Sequence, residues 1–244
     1  MTDFLNELSN ILFLDIETAS LEENFEALEP RLQEEWLKKE KHIQPKNEPF
    51  EPGSLFFEKA GIYAEFGKVI CVGVGYFKFQ KEENKLVYRT KSFAEVEEYD
   101  TLLSFSELLQ KKKWVLCAHN GKEFDFPYLS RRILINRIPL PEPLQIAGKK
   151  PWEVRHQDTL ELWKFGDYKH YTRLELLASV FGIPTSKEGI DGSQVNDTYY
   201  NKGDLKNIQL YCIRDVWVTA QIYLAFQGIP PEMEIEVINT DDVG

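Results

Sequence analysis

A chain of 244 residues, 43% of them hydrophobic, holds enough apolar material for a substantial core and fits one large domain or one domain with an insertion. It has no apolar run of membrane-spanning length, its first ten residues are acidic and unlike a secretory signal, and Cys71, Cys117 and Cys212 are odd in number and far apart, so buried thiols in a reducing cytoplasm are expected rather than a membrane span, disulfides or a cysteine zinc site. The net charge of −11 sits at both ends of the chain; residues 68–173 are net positive, with Lys111-Lys112-Lys113, Arg131-Arg132, Arg137 and Lys149-Lys150, which read either as solvated faces or as phosphate contacts.

In chain order, Ile11-Leu12-Phe13-Leu14 and Asp15 read as a buried strand, apolar on both faces. Residues 22–66 are charged and proline-bearing and read as an insertion with helical pieces near 26–41 and 54–64. The β-branched run at 68–77 predicts a strand, and the alternating segment 85–93 an antiparallel partner for it. An amphipathic helix at 96–112 leads to a buried strand at 113–119, then a helix at 124–137 that stops before Pro139. A short edge strand ends at Asp158, which with Glu161 reads as a capping box for the next short helix. A helix at 171–182 stops at Gly182, the glycine-bearing segment 183–204 reads as a mobile loop, 205–227 is a long apolar helix, and the acidic tail from about 230 to 244 is expected to fray. The whole predicts an α/β protein in one domain spanning 1–244, with no internal repeat.

Three of these core-like segments carry carboxylates: Asp15 and Glu17 in "FLDIET", Asp125 in "HNGKEFDFPYL", and Asp215 in "YCIRD". Residues two apart share a strand face, so Asp15 and Glu17 point together; residues four apart share a helix face, so Tyr211 and Asp215 do too. Buried charges demand a partner or a metal. An all-oxygen set favours Mg²⁺ or Mn²⁺, and two such ions suit phosphodiester hydrolysis. Taken singly, Asp125 reads equally as a helix cap, and Asp215 as one half of an ion pair with Arg173.

These three motifs, in this order over residues 11–226, resemble those of the DEDD-type 3′–5′ exonucleases that include the proofreading domains of B-family DNA polymerases. Tyr211 with Asp215 resembles the tyrosine subtype; the histidine subtype would place His where Leu210 stands. No polymerase region follows, so a free-standing enzyme is expected. The resemblance implies a ribonuclease-H-like mixed sheet of five strands in the order 3-2-1-4-5, flanked by helices. It implies two divalent cations, with Asp15, Glu17 and Asp215 on the first, Asp15 bridging to the second, Asp125 acting there mostly through water, and Tyr211 orienting the nucleophile. Thr18, Asn120 and Phe124 match positions that contact the terminal nucleotide. The implied reaction releases mononucleotides from single-stranded DNA 3′ ends; an exoribonuclease and an inactive nucleic-acid-binding scaffold are the alternatives.

Of the remaining residues, His119 and His156 read as structural hydrogen-bonders, and Asp191 as a turn residue within reach of the site. Tyr63, Tyr76, Tyr128, Trp152 and Trp163 read mostly as core, with base stacking as the other use of such side chains.

Overall fold

The computed structural model describes residues 2–47, 49–80, 82–83, 85–167, 171–184, 190–229 and 235–242. A short helix α1 (Thr2–Leu8), which the acidic start does not announce, precedes strand β1 (Ile11–Ser20). That strand runs five residues beyond Asp15, so Asp15 and Glu17 lie within it rather than at its end. Helices α2 (Pro30–Ile43) and α3 (Phe56–Lys59) follow, then β2 (Gly67–Gln80), β3 (Lys85–Phe93), α4 (Glu98–Gln110), β4 (Val115–Ala118) and α5 (Asp125–Ile135). The second half holds β5 (Gln157–Asp158), α6 (Thr159–Lys164), α7 (Leu174–Val180), α8 (Val195–Tyr200), α9 (Leu205–Phe226) and β6 (Glu236–Asn239).

The sheet order is β5-β4-β1-β2-β3-β6. Its first five strands reproduce the expected order, and β6 adds a sixth, parallel to β3. The expectation of a frayed tail is therefore corrected for residues 236–239: Val237 and Ile238 pair with Tyr88 and Arg89, and Lys85 bonds Glu236 at 2.5 Å. Backbone pairing along a ready strand edge outweighs the acidic composition. The expected mobile loop is likewise corrected, because α8 packs on β1 and Asn196 binds the Ser20 backbone N–H at 2.8 Å. Residues 185–189 of that loop lie outside the described residues.

β1 is buried on both faces because helices cover both. Leu12 and Leu14 join the core under α4 and α5 with Phe105, Phe126 and Leu129. Phe13, on the other face, packs with Phe77, Val216 and Ala220 under α9. Strand alternation puts Asp15 and Glu17 on that second face, toward α9. The 22–66 segment builds its own small core around Trp36, Phe56 and Phe66, and buried Glu40 accepts the backbone N–H groups of Gly53 and Leu55 at 2.7 Å each. Its two helices match the expected pieces. Of the arginines read as surface charge, Arg132 is buried: it pairs in two-pronged fashion with Glu98 and donates to Ala64 O at 2.9 Å. It joins α5 to α4 and to the segment before β2 rather than lying open to phosphate. No helix among the described residues is long and apolar enough to cross a membrane.

Candidate active site

The acidic residues meet where β1 and α9 cross. Gly73 is the β2 partner of Asp15, and its backbone N–H donates to Cys212 Sγ at 3.1 Å. Cys212 in turn approaches Asp15 O at 3.4 Å and Asp15 Oδ2 at 3.8 Å. A Cβ at residue 73 would sit 2.8 Å from that sulfur, so glycine is what lets α9 lie this close to the sheet. The sulfur and one carboxylate oxygen each from Asp15 and Glu17 fall within 4.8 Å of one another. Between Glu17 and Thr18 the β1–β2 register shifts, and this bulge re-aims the strand just past the acidic pair.

The other two carboxylates arrive from helices. Asp125 opens α5 and is buried; its carboxylate accepts from its own backbone N–H and from that of Ile16, between the two β1 acids. The side chain thus ties α5 to β1, beyond the local capping role that sequence left open. The N-cap position belongs to Phe124, which makes no side-chain cap. Asp215 lies one turn beyond Tyr211 on α9, the two side chains are hydrogen-bonded, and Asp215 is close enough to raise the pKa of Asp15 and Glu17.

The electrostatics are those of crowded anions in a dry place. Burial first, then repulsion from Glu17, Asp125 and Asp215, pushes Asp15 well above the usual carboxylate range. Glu17 is pushed the same way by burial and by Asp215, partly offset by its hydrogen bond with Asp15. Asp125 rises from 3.8 to about 7, again chiefly by burial. Tyr211 is driven far up by burial and by Asp215, so the phenol stays protonated. Cys212 is also pushed up by burial, which keeps it a neutral thiol. The donor set left for a cation is therefore oxygen only, and it fits a hard divalent ion.

Asp15, Tyr211 and Asp215 open onto a cleft of about 600 Å³, whose wall also holds His119, Arg173 and Asp191. His119 is fixed by Thr159 Oγ1 and Thr172 O, each at 2.9 Å, which fulfils its structural reading. Arg173 is the one cation among the described residues of that wall, and Tyr171 stands beside it. Asp191 caps its own turn through Ser193 N at 2.8 Å, so the turn reading and the nearness to the site both hold. Thr18, Asn120 and Phe124 lie off this wall: Thr18 hydrogen-bonds Tyr128, Phe124 packs on the Tyr128 ring at 5.3 Å, and Asn120 holds a left-handed φ of 67° at the exit of β4. Sequence reasoning missed Tyr171 and Cys212 as neighbours of the site and read Arg173 only as a partner for Asp215. The one signal for Cys212 was its place within the Tyr211–Asp215 turn.

Asp158 supports the whole arrangement from behind. It is buried and accepts backbone N–H groups from Asn120, Lys122, Leu160 and Glu161 at 2.9–3.3 Å. The expected cap is present, but Glu161 reaches Lys122 at 2.5 Å instead of closing a capping box.

This sheet order, with an acidic cluster at the strand–helix crossing, is that of the ribonuclease-H-like fold class. A solved structure, the family B DNA polymerase from the hyperthermophilic archaeon Pyrobaculum calidifontis, is similar over 90% of this chain, with a TM-score of 0.51 and 18% identity. The chain spans 26% of that polymerase. No curated protein matches the sequence. Residues 63–241 match the family of predicted 3′–5′ exonucleases related to the exonuclease domain of PolB, and the chain belongs to that family. The matched residues include Asp125, Tyr211 and Asp215; Asp15 and Glu17 precede them and are brought to the same place by the fold.

Proposed function

We propose that this exonuclease is of the tyrosine subtype, is metal-dependent, and removes mononucleotides one at a time from the 3′ end of single-stranded DNA. The observation that carries this reading is the convergence of Asp15, Glu17, Asp125 and Asp215, with Tyr211 bonded to Asp215. Asp15, Glu17 and Asp215 would hold one Mg²⁺ or Mn²⁺, and Asp15 with Asp125 a second. Bound ions would acidify the attacking water and offset charge building on the phosphate.

The chain's own groups do the rest. The Tyr211 phenol, protonated at neutral pH, donates its one O–H to Asp215 in this structure; once a cation engages that carboxylate, the same O–H would turn to the attacking water and aim it. Arg173, alone among acids on the described cleft wall, pairs with a substrate phosphate. The family resemblance, rather than the cleft lining, assigns Thr18, Asn120 and Phe124 to the terminal nucleotide; Asn120 is held in a left-handed turn and Phe124 is backed by Tyr128. The relationship to a polymerase exonuclease domain supports DNA over RNA. The domain reading of 1–244 with an insertion at 22–66 belongs to the same proposal.

The test uses oligodeoxynucleotides labelled at either end. Mononucleotide release should need a free 3′ hydroxyl and a divalent cation and should stop with chelator. A circular single strand cleaved at a comparable rate, or full activity after metal removal, would sink the reading.

A further inference from the structure

A second groove lies at the opposite end of the sheet. It has a volume of about 370 Å³ and is lined by Lys113, Lys149 and Arg155, with His156 and Trp114 in its wall. The cations come from chain positions far apart. Lys113 stands just before β4, Arg155 just before β5, and Lys149 in the connection between α5 and β5. The three are exposed. Parallel pairing of β4 with β1 and β5 sets them together at the N-terminal edge of these strands, whereas Asn120 and Asp125 lie beyond the C-terminal edge.

The groove's other polar groups are already occupied. His156 accepts from Leu116 N at 3.1 Å and bonds Pro143 O at 2.6 Å, and burial holds its pKa down, so it is a neutral structural side chain. Of the two acids in the lining, Glu142 and Glu153, the latter accepts Lys150 N at 2.8 Å and closes its own turn. Lys111, Lys112 and Lys150 flank the groove in sequence and add to its positive charge, although Lys112 is partly engaged with Ser9 O and the Trp114 ring. Trp152, within the same loop, is 77% exposed, and Lys150 Nζ lies 5.2 Å from its ring centre. An exposed indole on the loop that supplies Lys149, Glu153 and Arg155 to the groove offers a ring for a base, while the three convergent cations offer partners for phosphates, the combination that binds single strands.

We propose that this groove is a second binding site for single-stranded DNA, holding a strand while its 3′ end occupies the catalytic cleft. The inference rests on the exonuclease reading. Val115 pairs with Ile11, four residues before Asp15, and Lys113 lies two residues further back. At strand rise these steps amount to at least about 13–20 Å along the sheet, and a strand rounding the protein surface covers more, within reach of a 20-nucleotide substrate but not of a 3-nucleotide one. Short substrates would fill only the cleft, and longer ones would also reach the groove.

The experiment compares 3-nucleotide and 20-nucleotide single-stranded DNA. Binding is measured in the Asp215→Asn background and turnover in the otherwise native protein, with and without Lys113→Glu, Lys149→Glu and Arg155→Glu combined. The substituted positions are exposed, and circular dichroism confirms that the variant is folded. The triple variant should bind the 20-mer at least ten-fold more weakly, and the slope of log affinity against log salt should shrink by about 2. Trp152→Ala should weaken the 20-mer about ten-fold with no change in slope. Affinity for the 3-mer and its turnover should not change. Equal 20-mer affinity with and without the triple substitution overturns the groove, and leaves an acidic protein partner as the use of these cations. Native protein that degrades neither substrate overturns the exonuclease reading instead, and 20-mer binding in the triple variant still decides the groove.

Discussion

The Asp158 carboxylate accepts the backbone N–H of Asn120 at 3.0 Å, and through that bond the first turn of α6 fixes the loop that delivers Asp125. The other carboxylate oxygen takes Lys122 N at 3.0 Å. Asp158→Asn would set an amide donor against one of these N–H donors in a buried place. It should cost about 1–3 kcal/mol of stability in urea unfolding. It should also lower kcat about ten-fold or more with little change in KM, because the loop would hold Asp125 less well while the cleft wall stays intact. Unaltered kcat in a destabilised Asp158→Asn would show that the clamp serves folding alone.

Gly73 should be nearly as sensitive. A methyl there would meet Cys212 Sγ at 2.8 Å and the Cys212 backbone carbon at 3.2 Å, pushing α9, with Tyr211 and Asp215, away from Asp15. Gly73→Ala is expected to lose at least ten-fold in activity. Adding Cys212→Ala, which removes the sulfur but leaves the contacts with Val216 Cγ2 at 3.0 Å and the Cys212 backbone, should restore part of it. A double variant no better than the single one would place the fault elsewhere.

Much of this was legible in the sequence. The apolar runs around Asp15 and Asp215 identified buried elements, and spacings of two and four gave the shared faces of Asp15 with Glu17 and Tyr211 with Asp215. Less visible were features that depend on where distant segments land. Arg132 looked like surface charge until Glu98, 34 residues earlier, was found against it. β6 is short and lies in an acidic tail, and the open edge of β3 makes it a strand. Cys212 gains meaning only because Gly73 lies beneath it. The five-strand order came from the family resemblance rather than from any local pattern.

Stability should respond to pH and cation together. Asp125 titrates at 3.8 when unfolded and at about 7 when folded, and Asp15 and Glu17 shift in the same direction. Between those values the folded state binds more protons than the unfolded one. These groups therefore add stability at acid pH and lose it as pH rises through the folded values. His119 and His156, whose pKa values are lowered by burial, act in the opposite sense, and only near and below 6.5. A divalent ion competes with the protons for the same oxygens. The rise in Tm given by Mn²⁺ over chelator should therefore grow steadily from pH 5 to pH 8. A Tm increment that is flat across that range would argue that the ion binds elsewhere.

Tyr211 gives the sharpest test of the chemistry. Its phenol is bonded to Asp215, and burial and the surrounding acids push its pKa far above neutrality. It therefore cannot take a proton from the attacking water at pH 7, and the role proposed for it is a single aimed hydrogen bond, made once a cation engages the Asp215 carboxylate. Tyr211→Phe keeps the ring and removes only the hydroxyl. One positioned hydrogen bond in a transition state is worth about 1–4 kcal/mol, so kcat should fall between about five-fold and several hundred-fold and remain measurable. The pH–rate profile should keep its shape, since no titrating base has been lost. Cation affinity should barely change, whereas Asp215→Asn should weaken the cation and nearly abolish turnover. Single-turnover measurement is the right assay, because slow product release would otherwise mask the chemical step. A Tyr211→Phe enzyme as fast as the native one in that assay would remove the phenol from the mechanism and leave Asp215 acting without it.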